Sequence, residues 1–437
     1  MKTPFFIVLT LICIGAQAQI IKDTSFQKNW SLHMQATVIP QYHFDFTARY
    51  SGDNSLQTSE GTKVSITNTW FIGRRLWKNA AIYFNPEIAG GKGLSGAFGI
   101  AGFANGETFR IGSPQLKLYV ARVYLEQKFA LGAGSSLNED DLNQLREYAP
   151  AKYISVRAGK FSLADFFDAN SYSHDPRTQF FNWSLMSNGA WDYPANTRGY
   201  TVGAVVEYHA PGGAVRFAAT QEPTYANGPK LDDHIDKSIG LTAEGETNFT
   251  INTRKGSLRL LLFHNKAPMG NYREAIALNP LAPDITGVRV YSKTKTGAGI
   301  SYEQELGKYT GLFVRAGWND GKNETWAFTE IDNTLSAGIS IDGEKWKRKG
   351  DTWALAFATN GLSAPHRDYL KAGGYGFIIG DGNLDYNRET IFETYYSFSI
   401  PAIFVTLSPD YQFVVNPAYN KDRGPVHIVA IRLHVQL

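Results

Sequence analysis

The nine residues that end the chain, Val429-Ala430-Ile431-Arg432-Leu433-His434-Val435-Gln436-Leu437, decide the fold. Val429, Ile431, Leu433, Val435 and Leu437 alternate with Ala430, Arg432, His434 and Gln436. Successive side chains of a strand point to opposite faces, so this segment has one apolar face and one mostly polar face. At the C-terminus of an exported chain, the pattern predicts the closing strand of an outer-membrane β-barrel.

The export signal is read at the other end. Met1-Lys2 gives a positive start, Phe5 to Ile14 an apolar core, and Ala16-Gln17-Ala18 a small-residue cleavage site. Residues 1–18 are therefore expected to be a signal peptide and 19–437 the barrel. The apolar core is shorter than the ~20 residues of a spanning helix. Cys13, the only cysteine, lies inside this signal, behind an Ile12 too bulky for a lipoprotein signal. A mature chain without thiols has neither disulfides nor cysteine ligands. Aromatic residues make up 14% of the sequence and mean hydropathy is −0.26, which excludes a bundle of spanning helices. The formal charge of +3 gives no case for nucleic acid as a partner.

Working inward from the C-terminal strand, sixteen segments read as strands. They lie at 31–46, 64–75, 81–90, 115–129, 153–161, 199–209, 213–221, 239–252, 256–266, 294–306, 310–319, 333–342, 351–360, 389–399, 403–415 and 427–437. The first places Leu32, Met34, Ala36, Val38, Pro40, Tyr42 and Phe44 on one face. His33, Gln35, Thr37, Gln41, His43 and Asp45 stand opposite, with Ile39 the apolar exception. The fold class is thus all-β, a transmembrane antiparallel barrel of sixteen strands. Such a barrel is wide enough for an aqueous lumen.

Connections alternate short and long, as periplasmic turns and outside loops should. The turns at 77–80, 210–212, 253–255, 307–309, 343–350 and 400–402 are short, whereas 91–114, 162–198, 222–238, 267–293 and 361–388 are long. Residues 130–152 break the pattern. Ser136 followed by Glu139-Asp140, with Leu142, Leu145 and Tyr148 at helical spacing, predicts a short periplasmic helix over 135–149. The third outside loop, 162–198, is long enough to fold inward and narrow the pore. It carries Asp165, Asp168, Asn170, Asp175, Arg177, Asn182, Asp192 and Arg198 among Phe166, Phe167, Tyr172, Phe180, Phe181 and Trp183. Charge beside aromatic faces suits a sugar, and a solvated surface lid is the alternative.

Several stretches resemble the carbohydrate-selective porins of the OprB type. They are Gly159-Lys160-Phe161, Asp165-Phe166-Phe167-Asp168-Ala169-Asn170, Asp175-Pro176-Arg177-Thr178-Gln179-Phe180, and Gly189-Ala190-Trp191-Asp192-Tyr193-Pro194-Ala195-Asn196-Thr197-Arg198-Gly199-Tyr200. His366-Arg367-Asp368-Tyr369-Leu370, Gly380-Asp381-Gly382, and Pro409-Asp410-Tyr411-Gln412-Phe413 through Arg423-Gly424-Pro425 extend the likeness along the chain. The resemblance implies a sixteen-stranded barrel that lets sugars diffuse across the outer membrane, through an eyelet of arginines, acids and aromatics. Leu437, in place of the usual terminal aromatic, departs from the pattern.

Inward-facing positions offer such a lining: Asn85 and Glu87, Arg122 and Glu126, Arg157, Arg259 and Asn265, Arg315 and Asn319. Charge on the lipid face would cost roughly 2–4 kcal/mol near the midplane, so these residues belong inside. The alternative for each arginine is an arginine–acid ladder that braces the wall. The expected channel-lining set is Glu87, Arg122, Glu126, Arg157, Asp165, Asp168, Asn170, Asp175, Arg177, Trp191, Asp192, Arg198 and Arg315. Mono- or oligosaccharides and outer-membrane lipid are the expected partners, with no cofactor and no metal, and the number of subunits is left open.

Catalytic motifs are missing. The nine histidines show no pair at zinc-ligand spacing. Gly93-Leu94-Ser95-Gly96 lacks the spacing of a nucleophile elbow, and Gly90-Gly91-Lys92-Gly93 the pattern of a phosphate loop. Asp381-Gly382-Asn383-Leu384-Asp385 opens like a calcium loop but puts Tyr386 at the required glycine and Phe392 at the bidentate acid, so a turn is expected there, with a structural calcium left open. A general porin that sieves by size is the alternative function. An outer-membrane enzyme would want a clustered triad, and an energy-coupled receptor an N-terminal plug.

Overall fold

The computed structural model describes residues 28–108 and 115–437. The expected signal peptide, Cys13 and the cleavage site lie outside the described residues. Sixteen antiparallel strands close into one barrel. In chain order the strands are β1 (Trp30–His43), β2 (Lys63–Trp77), β3 (Ala80–Gly91), β4 (Lys117–Ala130), β5 (Ser135–Asn138), β6 (Glu147–Pro150), β7 (Tyr153–Phe161), β8 (Thr201–Ala210) and β9 (Gly213–Thr220). They continue with β10 (Ile239–Ile251), β11 (Arg254–Ala267), β12 (Lys293–Glu305), β13 (Thr310–Asn319), β14 (Asn333–Asp342), β15 (Thr352–Gly361), β16 (Glu389–Ile400), β17 (Val405–Val415) and β18 (Val426–Gln436). β5 and β6 pair only with each other, and the rest form the wall. The ring shuts where β1 meets β18, with Gln35 opposite Gln436 and His43 opposite Ile428.

The alternation read from the sequence is the alternation of this wall. Leu260, Leu262, Phe217, Leu335, Phe357 and Ile431 are exposed on the outside, where lipid rewards apolar surface. Gln35, Thr37, Gln41 and His43 are buried on the inside. Ile39, the odd apolar residue on that inner face, packs against Phe181 of the third outside loop. The inward fold of that loop explains the exception.

One expectation is overturned. Residues 135–149 form a β-hairpin and not a helix: Ser135 to Asn138 pair with Glu147 to Pro150. A helix would put Leu142, Leu145 and Tyr148 on one face, yet Leu145 is 2% exposed and Tyr148 72%. Leu145 enters the apolar cluster of Tyr83 and Tyr124, a neighbourhood that only the closed barrel supplies.

Candidate functional site

Residues 162–200 leave β7 and cross the lumen. The loop opens with a capping box, in which the Ser162 and Asp165 side chains satisfy each other's backbone amides. Asn182 caps the single turn α1 (Trp183–Met186) by accepting from the Ser184 amide. Its course is set by wall side chains that bind its main chain. Arg315 on β13 donates to the carbonyl oxygens of Leu185 (3.0 Å), Asp168 (3.0 Å) and Ser173 (2.6 Å), and to the Asp168 carboxylate (3.0 Å). Arg432 on β18 donates to the carbonyls of Pro176 (2.9 Å), Gln179 (2.6 Å) and Thr178 (2.9 Å). Carboxylates do the converse. Glu393 accepts from the amides of Phe181 (2.5 Å) and Asn182 (2.9 Å), Glu244 from Asp168 (2.7 Å), and Glu303 from Ser171 (2.6 Å). A guanidinium only donates and a carboxylate only accepts, so each kind satisfies loop groups that would otherwise be buried unpaired.

The loop's main chain is thus held by side chains of β10, β12, β13, β16 and β18, and a cavity opens on its side towards β1 to β4. There a cavity of ≈ 470 Å³ is lined by Gln35, Glu87, Glu107, Arg122, Arg177, Arg198 and the rings of Trp183, Tyr193, Tyr200 and Phe328, among others. Arg177 sits between two acids, at 3.2 Å from Glu87 and 3.0 Å from Glu107. Burial alone would pull its pKa down, but Glu107 and Glu87 raise it well above the usual arginine value, so it stays charged. Burial pushes the Glu107 carboxyl up against the opposing pull of Arg177. Arg122 meets Asp165 in a bidentate pair at 2.6 and 2.5 Å. Arg198 lies 4.0 Å from the Tyr119 ring centroid. Trp183, Phe328 and Tyr193 form a stack with centroids 4.6 and 4.5 Å apart. The result is a narrow place with fixed charges of both signs beside flat apolar faces.

Of the residues expected to line the channel, Glu87, Arg122, Asp165, Asp175, Arg177 and Arg198 come together around this cavity. The others do not. Arg315 faces inward but lies beneath the loop with no exposed surface, where it anchors the loop, and it is not among the residues around this cavity. Asp168, Asn170, Trp191 and Asp192 are also absent from the lining of this cavity. The Asp168 carboxylate accepts from the Asn188 amide at 2.7 Å, and that of Asp192 from the amides of Trp326 and Ala327. Glu126 and Arg157 start a ladder along the wall. Arg157 pairs with Glu126 at 2.8 Å and Glu207 at 3.7 Å; Arg216 with Glu207 at 2.6 Å and Glu246 at 2.7 Å; Arg259 with Glu246 and Glu303, each at 3.5 Å. The strip facing the loop is of mixed charge, since Glu87 stands there with Arg122, and Arg177 and Arg198 belong to the loop itself. Sequence reading missed Glu107 and Phe328, which arrive from the loops after β3 and β13 and carry no local signal. Gln35 was legible as an inward position but not as part of a site. The Asp381 carboxylate is occupied by the Asn420 amide at 3.1 Å, and Asp385 by Lys421 at 2.9 Å, as in a bonded turn.

Comparison with known proteins bears on the same scaffold. A solved high-pH structure of Pseudomonas putida OprB is 16% identical, covers 95% of this chain and 96% of its own, and superposes with a TM-score of 0.70. The low-pH structure of that protein is 13% identical over 95% of each chain, with a TM-score of 0.51. Identities this low establish the barrel fold. No curated protein sequence matches the chain. The family profile described as "Carbohydrate-selective porin, OprB family" matches residues 53–437. The chain therefore belongs to the OprB family of carbohydrate-selective porins, passive channels of the Gram-negative outer membrane.

Proposed function

We propose that the cavity between Arg122, Arg177 and Arg198 is the eyelet through which mono- or small oligosaccharides diffuse into the periplasm. The observation that carries this reading is the pairing of fixed charge with aromatic faces in one narrow place. A pyranose presents hydroxyl pairs at its rim and C–H groups on its faces. Arginine forks and acids suit the first, and the aromatic surface of Trp183, Phe328 and Tyr193 the second. The acids partly neutralise the arginines, which keeps a neutral solute competitive with ions. Conduction needs binding weak enough to release, and shared, pre-paired groups meet that need. The apolar residues exposed on the outer wall support membrane lipid as the outer partner, and the reading is of passage without turnover.

Swelling of liposomes that contain the refolded protein tests the reading, with neutral sugars compared against size-matched charged amino acids. Faster uptake of particular sugars is expected, and Arg177→Ala with Arg198→Ala should reduce that preference while raising conductance. Uptake ranked by size alone would replace the reading with a general sieve. Unchanged conductance and sugar block in the double variant would show that the eyelet lies elsewhere.

A further inference from the structure

The connection from β4 to β7 does not hang below the barrel but turns up into it. Its stem is pinned on several sides: Glu147 meets Lys128 at 2.7 Å and Arg75 at 3.0 Å, Arg75 donates to the Arg146 carbonyl at 3.1 Å, and His33 lies 3.3 Å from Asp140. The tip is closed on itself, since Asp141 and Gln144 exchange amide–carbonyl bonds of 3.1 and 2.9 Å. Asn143 takes a left-handed φ of 52°, a conformation that asparagine tolerates better than most residues. Wall residues hold this tip at the pore: Ser31 donates to the Asp141 carbonyl (3.3 Å), and Asn85 Nδ2 to Asn143 Oδ1 (2.9 Å). Leu142 and Asn143 line the same cavity as Glu87, Arg122, Arg177 and Arg198.

We propose that this periplasmic hairpin is the exit half of the sugar site. Its tip forms the lower lip of the eyelet, and Asn143 is a specificity-determining residue for the hydroxyls of a departing pyranose. The inference rests on the reading of the cavity as a sugar path. With Oδ1 engaged by Asn85, the Asn143 amide keeps two N–H donors for a ligand. Around the lip, Gln35 Oε1, Asn85 Oδ1 and Arg122 Nη1 are buried atoms that make no hydrogen bond within the protein. Buried polar atoms are normally paired, so such a group at a pore calls for a ligand or water. Amides in that position offer donor and acceptor together without net charge. That chemistry fits vicinal hydroxyls and gives an ion no net attraction.

Planar-bilayer recordings of protein inserted in one orientation test the proposal, with glucose and maltose as probes added to either side. Replacing residues 131–152 by a two-residue Asn-Gly turn should open the lip and raise conductance roughly twofold, as expected for a removed constriction. Asn143→Ala should shorten sugar-induced interruptions about five- to tenfold, the effect of one lost hydrogen bond, when sugar is added from the short-turn side. If the deletion does not fold, Glu147→Gln removes the charge pairs with Lys128 and Arg75, loosens the stem at full chain length, and should raise conductance and its noise. A folded deletion or a Glu147→Gln barrel that conducts as the wild type would overturn the lip. Unaltered interruptions in Asn143→Ala, beside altered ones in Arg177→Ala, would overturn the specificity role. Absence of sugar interruptions in the wild type would instead refute the sugar path, while the conductance comparison would still decide whether the hairpin narrows the pore.

Discussion

Replacing Arg315 by methionine removes the charge on β13 that ties down the middle of the 162–200 loop while roughly keeping side-chain volume. Four hydrogen bonds go at once, three to loop carbonyls and one to the Asp168 carboxylate, all buried. Bonds to charged groups contribute about 1.5–3 kcal/mol each, and they are not additive because the lumen can supply water to freed carbonyls. The greater cost falls on Asp168, which is 4% exposed and would be left without its counter-charge. Breaking one partner of a buried pair costs about 3–5 kcal/mol. At ~1.4 kcal/mol per decade, a loss near 5 kcal/mol shifts the balance between docked and released loop by about three and a half orders of magnitude. Arg432 and Glu393 still hold residues 176–182, so the release is confined to the stretch around Asp168 to Ser173 and Leu185. Single-channel recording should show larger conductance and more open-channel noise, with the barrel still folded by heat-shifted gel mobility. Adding Asp168→Asn should recover part of the loss, because the stranded charge is gone. A folded Arg315→Met barrel with wild-type conductance and noise would refute the view that buried wall charges position this loop.

Other outcomes follow from the same geometry. Leu262→Arg puts a charge on the lipid face of β11 and should lower barrel stability by about 2–4 kcal/mol in urea titrations, with little change in conductance for the folded fraction. Trp183→Ala removes the end of the aromatic stack and should weaken sugar block while leaving the preference between anions and cations as it was. Burial opposes ionisation of Glu147, but its bonds to Lys128 and Arg75 hold its carboxyl below the usual range. Its contribution to hairpin docking is therefore complete above about pH 4, the ordinary glutamate value, and is lost as pH falls through the lower folded value. Arg75, Lys128 and Glu126, which touches Lys128 at 3.5 Å, are the charges around it. Conductance should rise on acidification below pH 4, and Glu147→Gln should abolish that component of the response.

The barrel was legible because lipid on one side and a polar lumen on the other impose the period of two on each strand separately. Val429 to Leu437 needs no partner to display it. The hairpin over 135–149 was misread because Leu142, Leu145 and Tyr148 at helical spacing do not reveal which of them is buried. Tyr83 and Tyr124, distant in sequence, decide that Leu145 is. The same limit applied to Arg315 and Asp168. Strand alternation places Arg315 inward, and only the path of residues 162–200 determines that something lies over it. Phe328 and Glu107 reach the cavity beside Arg177 from separate loops, so no window of sequence around Arg177 contains them.

The constriction loop is held chiefly by side chains of the wall gripping its peptide groups. Much of its trajectory is therefore written in another part of the chain, and its own Asp165, Asp168 and buried rings complete the hold. The peptide groups bound by Arg432, Arg315 and Glu393 are held whatever side chain stands at position 198, whereas Arg177 also answers the buried charges of Glu87 and Glu107. The barrel behaves as a mould with an interchangeable insert: new solute preferences can be reached by substitution at the eyelet tips without redesigning the wall.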